Sequence, residues 1–318
     1  MIVFLLGGAF LGMGLAFSTT AIVGYIVEKW FTNAKGTIMG FILAANGLGA
    51  SVASQVLSPI IESEKSGWRN AYRTSMIIVL LTGVIVVLLL RDKPEDKGLA
   101  PMGQDKQVKE SKADVWVGYE FEDLKKKKYF WFTLVILFLY GIIIQSYSSC
   151  SSAHFRDVGV DPVTIANVLS IHMILLFLAK TGTGFLFDHL GTRRIMAICA
   201  VCAIIAIFVL AFTTGDAGAY LYSLFGSLGL PLETVLMPLL AMEMFGVRPY
   251  ARVMGIVVGM VQLGSCIGMF LSNAVFDIFG TYKTILIIYG IIMVILAMIM
   301  DRMIVQAKKD RKNARKQA

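Results

Sequence analysis

Two ionisable side chains, Lys180 and Glu233, lie within long apolar runs of the sequence. Placing a cation inside a membrane costs at least about 2.5–3.5 kcal/mol, so a buried Lys180 requires a partner or water. Alternatively, the flexible lysine stem could carry its ammonium toward the membrane surface, which the helical rise places about 10 Å away. The sequence alone leaves both interpretations of Lys180 open.

Glu233 lies in the middle of the run GLPLETVLMPLLAMEMF. A buried carboxyl group favours its protonated form, so it can take up and release a proton. We expect Glu233 to be a proton-coupling site or the counter-charge of Lys180. The alternative is a neutral, hydrogen-bonded glutamate that holds a kink beside Pro231.

A third polar feature is the pattern G-x-x-x-D-x-x-G-x-R-R, formed by Gly184, Asp188, Gly191, Arg193 and Arg194. Glycine permits a tight turn, and arginines favour the membrane surface. The aspartate can accept hydrogen bonds from the free amides of a neighbouring helix start, or pair with an arginine. The pattern therefore predicts a short turn at the membrane surface.

The elements that position these residues must be helices that cross a membrane. Hydrophobic residues make up 57% of the chain and fall in blocks of about 20 residues, enough to span a bilayer core as a helix. The blocks lack the alternation of barrel strands. We predict an all-α polytopic membrane protein with nine transmembrane helices, at residues 2–27, 36–61, 70–90, 129–150, 163–187, 193–213, 217–245, 250–276 and 283–300.

A long polar segment, residues 92–128, divides these helices into two groups. We predict a partial N-terminal bundle of three helices in residues 1–91, a six-helix C-terminal bundle in 129–302 and a basic tail in 303–318. Two matched bundles would place six helices before the polar segment. We therefore expect three N-terminal helices to be missing, through truncation or a misplaced start.

Most of the 29 Lys and Arg residues fall on one predicted face of the membrane, which includes the polar segment and the tail. Because positive loops stay inside the cell, we predict a cytoplasmic C-terminus in the cell (inner) membrane. Orientation and attraction to anionic lipid explain the net charge of +8, so we expect the lipid bilayer and no nucleic acid as a partner.

The turn pattern resembles the loop signature of the major facilitator superfamily, at the position between the eighth and ninth helices. The stretches EKWFTNAKGTIMGFILAANGLGAS, GWRNAY and RDKPEDKGLAPMG are similar to the oxalate/formate exchanger and monocarboxylate transporter branch. The resemblance covers helices four to twelve of twelve. It implies two helical bundles with a substrate site between them near mid-membrane, and a monomer.

In that branch a cationic residue on the eighth helix faces the cavity, and Lys180 occupies this position. The resemblance therefore implies a secondary transporter of a small organic anion, a mono- or dicarboxylate, by proton symport or anion exchange. One alternative is a transporter of another solute, such as a drug, sugar or metabolite, in which Lys180 is structural. Another is an integral membrane protein without transport activity.

Other polar side chains within the helices could also line a cavity. We expect substrate contacts from Gln145, Tyr147, Asn46 and Gln262. The sequence has no catalytic set of residues and no metal-ligand spacing, so we predict neither an enzyme nor a bound cofactor or metal. Near the end of its run, Glu243 is expected to form a surface ion pair with arginine.

Pairs of glycines four residues apart allow helix backbones to approach closely in lipid. Such pairs include Gly36 and Gly40, Gly255 and Gly259, and Gly264 and Gly268. We expect tight packing within a bundle at these pairs. A mobile helix crossing is the alternative.

Overall fold

The computed structural model of the protein describes residues 2–16, 20–62, 67–103 and 118–317. These parts are α-helices joined by short connections. The only β-bridge in these ranges joins Phe31 to Met102, which lies in the polar segment. The predicted all-α class is confirmed.

The described residues before the polar segment form four helices: α1 Ile2–Ala16, α2 Thr20–Trp30, α3 Lys35–Glu62 and α4 Gly67–Leu89. The predicted span 2–27 corresponds to α1 with the larger part of α2, and residues 17–19 between them are outside the described ranges. A single-turn 3-10 helix, Pro94–Lys97, begins the polar segment. Residues 104–117 of that segment are also outside the described ranges.

Residues 118–317 form nine further helices: α5 Phe121–Lys125, α6 Lys128–Asp157, α7 Pro162–Leu190, α8 Thr192–Phe212, α9 Asp216–Gly229, α10 Pro231–Thr234, α11 Leu236–Phe245, α12 Tyr250–Phe279 and α13 Lys283–Gln317. The predicted span 217–245 is broken into α9, α10 and α11, with a bend of 41° after Thr234. Pro231 interrupts the helical hydrogen bonds where α9 ends and α10 begins, and Pro238 lacks the amide that would bond the Thr234 carbonyl oxygen at the bend.

Within the described ranges, six helices are long and apolar enough to cross a membrane, and the bent segment would be a seventh. The six are α4, α6, α7, α8, α12 and α13. The remaining predicted spans, 2–27 and 36–61, are helical in their described residues but are not among these seven. With its 28 residues, α3 has a length of about 42 Å at the helical rise.

The last helix extends beyond its predicted end. We expected a span ending near residue 300 and a separate tail from 303, but α13 continues to Gln317 without a break. The reason lies in the composition after Gly290, which contains no further glycine or proline and is rich in Ala, Lys, Arg, Gln and Met. These residues favour helix, and no stop signal ends it.

Packing within the C-terminal bundle follows the prediction for one glycine pair. Gly264 and Gly268 of α12 lie against the backbone of α6, where the carbonyl oxygens of Phe138 and Ile142 leave no room for a side chain. This close approach joins α6 to α12. The bundle interior is then filled by large buried side chains, among them Tyr140, Tyr147, Tyr222, Phe130, Phe155 and Phe245.

The other two glycine pairs do not pack within a bundle. Gly36 and Gly40 of α3 instead contact α7, so they lie between the N-terminal helices and the C-terminal bundle. A Cβ at Gly36 would lie 2.5 Å from the carbonyl oxygen of Gly184. Side chains at Gly255 and Gly259 would meet no atom within 4 Å in the described structure.

The close backbone contacts that glycine makes on this face of α3 lie at one end. Ala44 is fully buried, but a Cβ at Gly47, one turn further on, would meet no atom within 4 Å. The same holds for Gly49, and Asn46, just before Gly47, is exposed. The two helical groups therefore make close contact at the end nearest the polar segment and separate beyond Ala44. The space between them beyond Ala44 is the groove.

Candidate functional site

Lys180 lies at the closed end of this groove. Its backbone carbonyl is part of the α3–α7 contact, because a Cβ at Gly40 would lie 2.5 Å from that oxygen. The residue is only 8% exposed. Its ammonium makes no hydrogen bond and no ion pair within 4 Å among the residues that the structure describes. The side chain thus lies in the interior rather than on the lipid-facing surface.

Glu233 lies on α10, at the break in the bent segment, and is half-buried. Lys180 is the one charged group in the described ranges that has an appreciable electrostatic interaction with the Glu233 carboxyl group. The two charged groups are more than 4 Å apart. The Glu233 carboxylate has no hydrogen-bond partner among these residues. The bend lies after Thr234, three residues beyond Pro231, and within the described ranges the glutamate does not hold it through a side-chain hydrogen bond.

A buried aromatic cluster lies next to Glu233. Tyr147 is completely buried, and its hydroxyl has no hydrogen-bond partner in the described structure. Its ring packs edge-on against Tyr222 at 6.3 Å between centroids, and His172 stacks on Tyr222 at 5.8 Å. The His172 ring nitrogen Nδ1 lies 3.2 Å from the Ser223 carbonyl oxygen.

Sequence reasoning missed Tyr222, which packs against the predicted contact residue Tyr147, and His172, which stacks on Tyr222. The available signal was weak, since it amounts to one histidine and one tyrosine in apolar runs. Their proximity arises from the packing of α7 against α9, which brings the two rings together.

The remaining predicted substrate contacts are dispersed. Gln145 is half-buried, and its side-chain amide donates to the Ser149 hydroxyl at 3.4 Å. Asn46 and Gln262 are exposed, on α3 and α12 respectively. The structure thus brings Lys180, Glu233 and Tyr147 close together, and it does not bring Gln145, Asn46 or Gln262 into contact with them.

The turn pattern organises the closed end of the groove. The Asp188 carboxylate accepts hydrogen bonds from the amides of Gly36 and Thr37, at 2.9 and 2.8 Å, and from the Thr37 hydroxyl at 2.8 Å. It therefore caps the first turn of α3, as expected for an acid beside a helix start. Gly191 makes the turn with φ of +75°, a conformation that glycine adopts without strain.

The arginines of the pattern do not pair with Asp188. Arg193 instead binds both carboxylate oxygens of Asp301, at 2.6 and 2.8 Å, and so joins α8 to α13. Arg194 is exposed and forms no ion pair within the described ranges. Sequence reasoning missed Asp301, although an acid at the end of a long apolar run was a signal.

The predicted ion pair of Glu243 has a different partner. Its carboxylate lies 3.0 Å from the ammonium of Lys308 on the extension of α13. The arginines expected to pair with it are engaged elsewhere: Arg248 pairs with Glu120, and Arg252 lies over the ring of Phe121. The extension of α13 and the end of the polar segment are thus both attached to the C-terminal bundle.

The arrangement has the chemistry of a binding site for a charged solute. The ammonium of the buried residue Lys180 and the Glu233 carboxyl group interact electrostatically, and both can exchange a partner or a proton. Among the residues described, no three His, Cys, Asp or Glu side chains are grouped to hold a metal ion.

Similar folds occur in solved structures. One is the transporter FucP in the outward conformation, with a TM-score of 0.60 at 15% identity over 85% of this chain and 68% of that one. Another is a variant of the E. coli fucose:proton symporter FucP, with a TM-score of 0.61 at 15% identity over 90% and 72% of the two chains. At this identity the likeness concerns the fold alone.

Comparison with curated protein sequences finds no match. None of these comparisons specifies the oxalate/formate or monocarboxylate branch. The family model described as Major Facilitator Superfamily, however, matches residues 1–154 and 151–318, which together are the whole chain. The protein therefore belongs to the Major Facilitator Superfamily, whose members are membrane transporters rather than enzymes.

Proposed function

We propose that this protein transports a small organic anion, a mono- or dicarboxylate, and that Lys180 holds the carboxylate of the substrate. The observation that supports this proposal is Lys180, a buried residue whose ammonium lacks a hydrogen-bond or ion-pair partner in the described structure. Removing a charge from water without a close partner is costly. An anionic substrate reaching the bottom of the groove would supply that partner.

Lysine is suited to this role because its ammonium is a compact point charge with three donors. It can hold one carboxylate without the geometric restriction of a bidentate arginine. Its carbonyl is also part of the contact with Gly40. A substrate on Lys180 would therefore act directly at the contact between the two helical groups.

Glu233 provides a way to couple binding to a proton. While the substrate is absent, the Glu233 carboxylate partly neutralises the charge of Lys180 from a distance of more than 4 Å. A bound substrate carboxylate would repel the Glu233 charge, and protonation of Glu233 removes that repulsion. This is the basis for proton symport. In anion exchange, Glu233 would keep its charge and successive substrates would alternate on Lys180.

The groove fits one stage of alternating access. The groups of helices touch through Gly36, Gly40 and Gly184 at one end and separate beyond Ala44. Rocking of one bundle against the other would open this contact and close the opposite end. We further propose a cytoplasmic C-terminus in the inner membrane, since positive residues concentrate at the closed end. The groove then opens away from the cytoplasm.

A second candidate is a neutral sugar. The fucose:proton symporter named above has a similar fold. If the charges of Lys180 and Glu233 neutralise each other, the site would also accept an uncharged solute. In that case Lys180 would be structural. The distinction between the two candidates is whether the substrate needs the lysine charge.

Thermal unfolding of the purified protein distinguishes them. A ligand at 100 times its Kd stabilises the folded state by about 2.7 kcal/mol, so a panel of mono- and dicarboxylates is compared with fucose. We expect a carboxylate to raise Tm, and Lys180→Met to abolish this rise. The matched control is Lys128→Met, which removes an exposed charge at the start of α6.

Uptake of the stabilising carboxylate into vesicles then tests transport. Stabilisation by fucose but by no carboxylate would favour the sugar. An unchanged rise in Tm for Lys180→Met would remove the lysine from the binding site.

A further inference from the structure

A groove on the outer side of the C-terminal bundle lies between α8 and α13. It encloses a cavity of about 400 Å³, within the range of ligand pockets. Three charged residues lie at the end nearest the turn pattern: Arg193, Asp301 and Arg302. The other lining residues include Met196, Ala197, Ala200, Val201, Ala297 and Met298.

The charged end has an excess of positive charge. Arg193 is neutralised by its bidentate pair with Asp301. Arg302 is exposed and forms no hydrogen bond or ion pair with any residue in the described ranges. Its guanidinium therefore remains available to an anion.

The apolar end faces the surroundings of the bundle. Val201 is 54% exposed and Met298 is 57% exposed. Both lie on helices that are long and apolar enough to cross a membrane, so these side chains face lipid tails. Ala197 is also exposed, and its small side chain leaves room along α8.

The dimensions of the groove match one leaflet. Arg193 and Val201 are eight residues apart on α8, which corresponds to about 12 Å at the helical rise. Half of a hydrocarbon core of about 30 Å is about 15 Å. The groove thus presents free positive charge at one end and an apolar channel over most of one leaflet.

We propose that this groove binds one anionic phospholipid. Its headgroup phosphate lies against Arg302, and one acyl chain runs along Ala197, Val201 and Met298. Basic pockets between transmembrane helices bind anionic headgroups in this way. The bound lipid would bridge α8 and α13 on the side away from the substrate groove.

Native mass spectrometry of the full chain in detergent tests this proposal, with phosphatidylglycerol and phosphatidylcholine of identical acyl chains as probes. We expect one phosphatidylglycerol molecule to be retained, and Arg302→Gln to reduce the lipid-bound fraction at least fivefold. Arg252→Gln removes an exposed charge at the start of α12 and should leave retention unchanged. Ala197→Phe fills the apolar end and should also reduce retention.

Arg302 and Ala197 are both exposed, so the two variants should fold, and elution as a single monodisperse species verifies this. Equal retention of the two lipids, or retention that neither variant reduces, would overturn the proposal. Equally strong retention of glycerol phosphate, which has no acyl chain, would identify a simple anion site instead. An Arg302-dependent dimer without bound lipid would assign the groove to a second copy of the chain.

Discussion

The carboxylate of Asp188 on α7 caps the helix that begins near Gly36, accepting the Gly36 amide hydrogen bond at 2.9 Å. The two residues are 152 positions apart in the chain. They belong to different helical groups, so this hydrogen bond joins the C-terminal bundle to α3. Because Gly36 and Gly184 also pack backbone against backbone here, the cap and the close contact hold the same end of the groove together.

Replacing Asp188 by Asn should loosen this end. The variant keeps one acceptor oxygen but loses the charge that interacts with the start of α3, and we expect a loss of about 1 kcal/mol in the free energy of unfolding. Spin labels at the exposed positions Asn33 and Arg194 should report a longer or broader distance between the two helical groups.

Asp161→Asn is the matched control for this change. Asp161 caps its own helix, α7, by accepting from the amides of Val163 and Thr164. Its loss should lower stability by a similar amount without changing the label distance. The same distance change in both variants would contradict a specific role for Asp188 in closure.

Gly40→Ala should separate α3 from α7. The added methyl group would lie 2.5 Å from the Lys180 carbonyl oxygen, and overpacking of this kind costs about 1–3 kcal/mol. Gly47→Ala, on the same face, meets no atom within 4 Å and should be neutral or stabilising by up to about 1 kcal/mol. Thermal unfolding of both variants measures the difference, and equal effects would argue against the contact.

Tyr147→Phe should leave stability unchanged or slightly higher. The Tyr147 hydroxyl is buried without a partner, so its removal leaves no other group unsatisfied. In Tyr289→Phe, by contrast, the Ser272 hydroxyl loses its partner at 3.1 Å, which should cost about 1 kcal/mol. A stability loss in Tyr147→Phe as large as in Tyr289→Phe would show that the hydroxyl already has a partner.

Uptake by Tyr147→Phe carries further information. If uptake falls while stability does not, the hydroxyl binds substrate or Glu233 in another stage of the cycle. Unchanged uptake would remove Tyr147 from the predicted substrate contacts.

Glu233→Gln should remove the pH dependence of uptake in proton symport. Lower pH favours the protonated carboxyl group that accompanies the anion, so wild-type uptake should rise as pH falls on the side of uptake. The amide resembles the protonated acid and cannot titrate. Uptake measured from pH 5 to 8 tests this, with Glu243→Gln as control because Glu243 pairs with Lys308 outside the groove. A pH dependence that persists in Glu233→Gln would favour anion exchange.

Much of the helical architecture could be predicted from sequence because its signals are local. Apolar blocks of about 20 residues indicate membrane helices wherever they occur. Gly191 in the turn pattern also acts locally, since its positive φ needs no distant partner. The helix of the last predicted span continues through the basic tail to Gln317, because Lys, Arg and Gln continue a helix readily.

Residue partners could not be predicted in the same way. Glu243 was expected to pair with nearby arginines, but its partner, Lys308, lies on another helix. Gly36 and Gly40 were expected to pack within a bundle, and they lie between the two helical groups instead. In each case the sequence identified a group able to interact, and the packing of helices selected its neighbour.

The sequence by itself therefore determined the membrane helices, the turn pattern and the presence of two ionisable groups in apolar surroundings. Only the tertiary structure decided that Lys180 lies in the interior and that Glu233 is the charged group that interacts with it. It also decided that Asp188 caps α3. The physical reason is that the hydropathy of a segment depends on that segment alone, because an apolar segment needs only to be removed from water. Which polar groups form a pair depends on the rotation of two helices and the distance between them. The close helix contacts at glycine residues determine both.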